Sequence, residues 1–187
     1  VPLADVAPSP ALSQVGRTWP TDGRTIGIIT GPDGDLDGVR AVRQEVLDGG
    51  MVPLVVAPAG GTLGDGPDAP AVQRTYATAR SVEFDAVLVA GAPGIGVDAY
   101  GARDAKAGVP TGRDGTPDPR VGLLLAEAYR HGKAIGAAKG GETALEAAGI
   151  SLDAPGVIAG DGATTVLQQL TRLLGSHRVW DRFPSSA

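Results

Sequence analysis

The sequence predicts an α/β domain, doubly wound around a mainly parallel sheet, and three observations carry that prediction. Short apolar runs bounded by glycine and proline recur along the chain. Segments with a helical apolar period lie between them. The first run–helix–run unit returns after about thirty residues, the length of a parallel strand pair with a right-handed crossover. Strands alternating with helices give a three-layer sandwich.

The elements follow in order. Residues 1–23 read as a linker, because Pro2, Pro8, Pro10 and Pro20 break any period. The folded domain spans 24–187. Residues 25–30 form a short apolar run, as expected of a strand buried on both faces. The loop at 31–35 leads into a helix whose apolar positions include Leu36, Val39, Val42, Val46 and Leu47, ended by Gly49 and Gly50. Residues 52–57 are the second strand, and Pro53 suits a strand start or an edge. An irregular or hairpin excursion occupies 60–70, and 84–90 are the third parallel strand. The segment 101–116, rich in glycine and charge, predicts a long mobile loop.

Asp118 then supplies an N-cap with Pro119 at the first helical position. That helix buries Val121, Leu124, Leu125 and Ala128 and stops at His131 and Gly132. Residues 133–138 are a fourth strand, 142–148 a short helix stopped by Gly149, and 157–159 a brief fifth strand. The last helix carries Val166, Leu167, Leu170, Leu173 and Leu174 on one face, with Gly175 past its end. This is the clearest helical stripe in the chain.

Composition narrows the function classes. The 187 residues suffice for one domain with a substantial core. Hydrophobic residues at 42% and charged residues at 20% describe a soluble globular chain, and 29 glycines with 15 prolines imply many loops rather than disorder. A net charge of −5, with no cluster of lysine or arginine, argues against nucleic acid as a partner. No apolar run approaches the roughly 20 residues that span a bilayer, and the start has no leader pattern. No membrane partner and a cytoplasmic location are therefore expected. The absence of cysteine removes disulfides, thiolate metal sites and cysteine nucleophiles together. The chain begins with Val1 and its single methionine is Met51, so a processed product or a fragment of a longer protein is expected.

Several motifs are weighed for chemistry. Residues 33–38, Asp-Gly-Asp-Leu-Asp-Gly, open like a calcium loop, but Gln44 stands where a bidentate glutamate is needed. Capping of the first helix by these carboxylates is the stronger reading. The glycine-rich residues 91–96 follow a strand, yet Pro93 removes a donor and no helix follows to face a phosphate. His131 and His177 each stand at a helix end, where C-capping and dipole compensation account for them. No serine lies in a G-x-S-x-G turn. No metal site and no cofactor site is expected in the chain.

The tail, Ser176-His177-Arg178-Val179-Trp180-Asp181-Arg182-Phe183-Pro184, puts two aromatics after a finished helix, where a monomeric domain has no need of them. It resembles the C-terminal end of large-subunit haem catalases. So do residues 127–135, where a helix runs straight into a strand, residues 84–89 before them, and Ser9 to Ser13, which look like that family's linker. The resemblance covers nearly the whole chain in order, with 101–116 longer than the family's connection.

That resemblance implies a flavodoxin-like C-terminal domain, related to the PfpI-like, class I glutamine amidotransferase-like superfamily. Those relatives present a cysteine on a strained turn after the fourth strand. Here Lys139 occupies that elbow and Gly140 stands where many relatives carry histidine, so the elbow is degenerate. A protonated lysine is no nucleophile. Haem would belong to the intact parent enzyme, which converts hydrogen peroxide to water and oxygen. Catalases hold iron by a tyrosine with arginine four residues earlier, and Val72, Gly96 and Leu125 stand there before Tyr76, Tyr100 and Tyr129.

The expected role is accessory. The domain would pack on the catalase core of the same chain, within a homo-oligomer such as a tetramer, and support stability or assembly. Candidate contact residues are His177, Arg178, Trp180, Asp181, Arg182 and Phe183. The alternatives are an independent PfpI-like hydrolase or glyoxalase-type enzyme, which would need Lys139 chemistry, and a holdase-like chaperone domain.

Overall fold

The computed structural model describes residues 9–31, 34–91 and 117–183. In chain order the elements are β1 (Thr25–Ile29), α1 (Leu36–Asp48), β2 (Val52–Ala57), β3 (Gly61–Thr62), β4 (Ala71–Val72), β5 (Arg74–Thr75), β6 (Ala86–Ala90), α2 (Pro119–Arg130), β7 (Ala134–Ala138), α3 (Glu142–Ala147), β8 (Val157–Gly160) and α4 (Ala163–Leu174). Six strands make one sheet in the order β5-β2-β1-β6-β7-β8, and every neighbouring pair is parallel. β3 and β4 pair antiparallel as a separate hairpin that closes the excursion expected at 60–70, with β4 just beyond its end.

Apart from the short edge strand β5, the strands of the sheet are apolar because both its faces are covered. Their period of two divides the core. Ile26, Ile28, Val55, Leu88 and Ala138 face α1 and α4, whose Val39, Val42, Val46, Val166, Leu167 and Leu170 complete that cluster. Ile29, Val56, Val87, Val89 and Ile135 face α2 and α3 through Val121, Leu124, Leu125 and Leu145. Gly136, mid-strand in β7, lets α4 sit close: a Cβ there would stand 2.6 Å from Val166, 2.7 Å from Leu170 and 2.9 Å from Leu88.

Three details go beyond the sequence reading. Leu47 is 43% exposed, because α1 buries only the Val39–Val42–Val46 stripe. Phe84 precedes β6 rather than opening it, and its ring fills the space over Gly27, where a Cβ would lie 2.9 Å away. The edge strand β5 and two single-turn 3-10 helices, Ser81–Glu83 and Trp180–Arg182, have no periodic signal and were not anticipated. Asp33, the greater part of the 91–96 segment, Tyr100, the 101–116 loop and Pro184 lie outside the described residues.

Candidate functional site

The elbow follows β7 directly. Lys139 adopts φ 49° and Gly140 φ 88°, so the turn is left-handed at a residue with a side chain. For a non-glycine residue that conformation costs about 1–2 kcal/mol. Gly141 is held against β6, where a Cβ would stand 2.7 Å from the Val89 carbonyl oxygen, so a tight turn is required there. Strand geometry thus leaves Lys139 pointing across the C-terminal ends of the strands.

There it meets a carboxylate. The Lys139 ammonium lies 2.5 Å from Asp35 Oδ2, with the lysine side chain about half exposed. Asp35 is also the N-cap of α1, its Oδ1 accepting from the Gly38 amide at 3.1 Å. The hydrogen bond from Lys139, and then the Gly38 amide, hold the Asp35 carboxyl below the usual carboxylate range. The capping role expected of this segment is therefore present at Asp35, and Asp37 pairs with Arg40 at 2.9 Å. No sequence spacing links Lys139 to Asp35; the partner is found only through the sheet.

The strand order reverses between β1 and β6, where open α/β sheets bind ligands. There Gly34, after β1, lies against Gly91, at the end of β6. Gly91 at the end of β6 takes φ 96°, and a Cβ on it would lie 3.2 Å from Gly34 Cα. Among the described residues no group of three or more histidine, aspartate or glutamate side chains is placed to hold a metal ion.

A second constellation lies at the other edge of the sheet, where β1, β6 and β7 begin. Arg24 donates from Nη1 to Asp85 Oδ1 at 2.7 Å, and the Thr25 amide donates to Asp85 Oδ2 at 2.9 Å. Burial pushes the Asp85 carboxyl up, but the Thr25 amide and the Arg24 guanidinium outweigh it and hold the group below its ordinary value. The same Arg24 nitrogen lies 2.9 Å from His177 Nδ1. Lys133 is buried and donates to the carbonyl oxygens of Ser81 and Phe84. Desolvation, then the nearby Arg178, push its ammonium below the usual lysine value.

The tail folds back over this edge. Arg182 donates to the carbonyls of Pro155 at 2.7 Å, Tyr129 at 3.1 Å and Lys133 at 2.8 Å, and its guanidinium lies 4.1 Å above the Tyr129 ring. The Val179 amide donates to Gly132 at 2.7 Å, Arg178 donates to the His177 carbonyl at 2.8 Å, and Trp180 Nε1 donates to Ser176 at 3.0 Å. Trp180 and Phe183 are in ring contact, centroids 6.1 Å apart, and Asp181 and Phe183 remain exposed. So the structure gathers His177, Arg178, Trp180, Arg182 and Phe183 at one edge, with Lys139 and Gly140 at the other. The signal missed in the sequence was polar: Arg24, Asp85 and Lys133 each stand immediately before a strand, where alignment of parallel starts brings them together.

A family described as the C-terminal domain found in long catalases matches residues 22–184. The chain belongs to that family. It is 32% identical over 174 residues to Catalase B of Aspergillus fumigatus, covering 87% of this chain and 22% of the relative. It is also 32% identical to Catalase HPII of Mycobacterium avium, over 93% of this chain and 25% of the relative. A Catalase HPII of Pseudomonas aeruginosa shows the same identity over 97% of the chain and 23% of its own length. This long-catalase domain thus spans about a quarter of the curated relatives it matches.

Among the described residues, Tyr76 and Tyr129 are both engaged within the fold. Tyr76 is buried and its hydroxyl donates to the Thr30 carbonyl at 2.6 Å. Tyr129 packs beneath Arg182. Among the described residues no helix is long and apolar enough to cross a membrane.

Proposed function

We propose that this chain is the accessory domain of a haem catalase, acting on the stability or assembly of the parent and carrying no catalysis itself. The parent would decompose hydrogen peroxide to water and oxygen at haem held elsewhere, in a homo-oligomer such as a tetramer. The observation that carries the accessory reading is the elbow. Where related folds present a thiol, this domain presents an ammonium group ion-paired to Asp35 at 2.5 Å. A protonated amine has no lone pair to attack a carbonyl. The exposed Phe183 and Asp181, beside Trp180, are the candidate contacts to the catalase core.

The test has two arms. Sequencing upstream of Val1 should reveal a haem-binding catalase core in the same reading frame. The purified domain mixed with haem should develop no Soret band and turn over no peroxide; binding with turnover would refute the assignment of chemistry to the missing part. Hydrolysis of amide, peptide or glyoxal substrates, lost on Lys139→Ala, would instead establish the independent enzyme.

A further inference from the structure

The linker and the tail meet at one ionisable group. His177 takes φ 65°, a left-handed conformation that turns its ring inward from the end of α4. Arg24 Nη1 lies 2.9 Å and Arg178 Nη1 3.4 Å from the same ring nitrogen, Nδ1. A guanidinium only donates, so Nδ1 must accept and the ring must be the neutral tautomer with its proton on Nε2. The Trp19 ring lies 6.4 Å from the imidazole, and the Trp19 amide donates to Gly175 at 2.8 Å. An open cleft of about 280 Å³, lined by Gln14, Trp19, Arg24 and His177, leads to it.

We propose that His177 is a proton-operated clasp that joins the linker at Trp19 and the start of β1 to the C-terminal tail, and that acid releases both. The groups that face it come from every neighbouring element. Arg24 precedes β1, Arg178 is in the tail and Lys133 precedes β7; all three oppose an added charge. Asp85, before β6, favours it but already serves Arg24 and the Thr25 amide. Desolvation, then Arg178 and Arg24, hold the imidazole below its ordinary value. A proton on Nδ1 would set an N–H against two guanidinium groups and convert an acceptor into a repulsive contact. The tail from Ser176 to Phe183 and the residues around Trp19 would then detach together, uncovering Val179 and the Trp19 ring.

Amide hydrogen exchange on the full chain, corrected for intrinsic rates, tests this. Opening of segments 17–23 and 176–183 should rise about tenfold or more between roughly pH 7.5 and 5, while the sheet stays protected. His177→Asn keeps an acceptor near the Nδ1 position and tolerates the left-handed backbone, and should abolish the pH response. His131→Gln, at the other histidine, should retain it. Nitrogen NMR of His177 should show the Nε2–H tautomer at neutral pH. An Nδ1–H tautomer, unchanged protection across the range in the wild-type chain, or an undiminished response in His177→Asn would each overturn the clasp.

Discussion

Lys139 and Asp35 stand far apart in the chain and 2.5 Å apart in space, tying the turn after β7 to the N-cap of α1. The lysine sits in a left-handed conformation, and its ion pair is half open to water. An exposed pair contributes at most about 1 kcal/mol, comparable with the backbone strain beside it. The turn thus draws little net stability from the side chain.

Substitution separates the two terms. Lys139→Ala removes the pair and keeps the strain, and should lower unfolding free energy by about 1 kcal/mol. Lys139→Gly removes both, and should be more stable than Lys139→Ala by up to about 1 kcal/mol. Urea unfolding of the two variants checks the order.

Arg182 is a strut whose geometry a lysine cannot supply. It serves three carbonyls and one aromatic face. Arg182→Ala should cost about 2–4 kcal/mol, because the carbonyls lose their donors and the tail loses its anchor. Arg182→Lys should recover less than half of that. Thermal unfolding monitored by tryptophan fluorescence reports both, since Trp180 rides on the same turn.

Gly136→Ala should destabilise by about 1–3 kcal/mol through overpacking, because the new methyl falls on Val166, Leu170 and Leu88 together. Combining it with Val166→Ala should recover part of the loss. Chemical denaturation of the single and double variants gives the coupling.

Acid should act through Asp85 and Asp35, whose folded values lie below the ordinary 3.8. A depressed carboxyl contributes stability that is complete above the unfolded value and is lost as pH falls through the folded one. The carboxylate contribution should therefore hold to about pH 4 and decline below it, in addition to the loss that His177 brings as pH falls through the ordinary histidine value. Asp85→Asn should lower stability at neutral pH by about 1–2 kcal/mol, with a smaller deficit near pH 2. Denaturant titrations at several pH values distinguish this from a uniform loss.

How much was legible follows from which interactions are local. The stripe Val166, Leu167, Leu170 and Leu174 and the cap at Asp118, whose Oδ1 accepts from the Arg120 amide at 2.8 Å, are set by residues one turn apart. Hence α2 and α4 could be read directly. The strand β5 pairs only through Val56–Arg74 and Ala57–Thr75 and has no period of its own to reveal it. Leu47 shows the same limit: it belongs to the apolar count of α1 but lies off the buried stripe, which only packing reveals.

The sequence by itself determined the alternation of strands and helices, the apolar strands that require a covered sheet, and the lysine at the glycine-rich turn after the fourth strand. Only tertiary structure decided that this lysine pairs with Asp35, that Arg182 turns the tail inward, and that Arg24, Asp85, Lys133 and His177 share one edge. The physical reason is range. Hydrophobic period and capping act within a turn or two of chain, whereas a parallel sheet aligns strand ends from distant segments, and charges placed there have no spacing by which to announce one another.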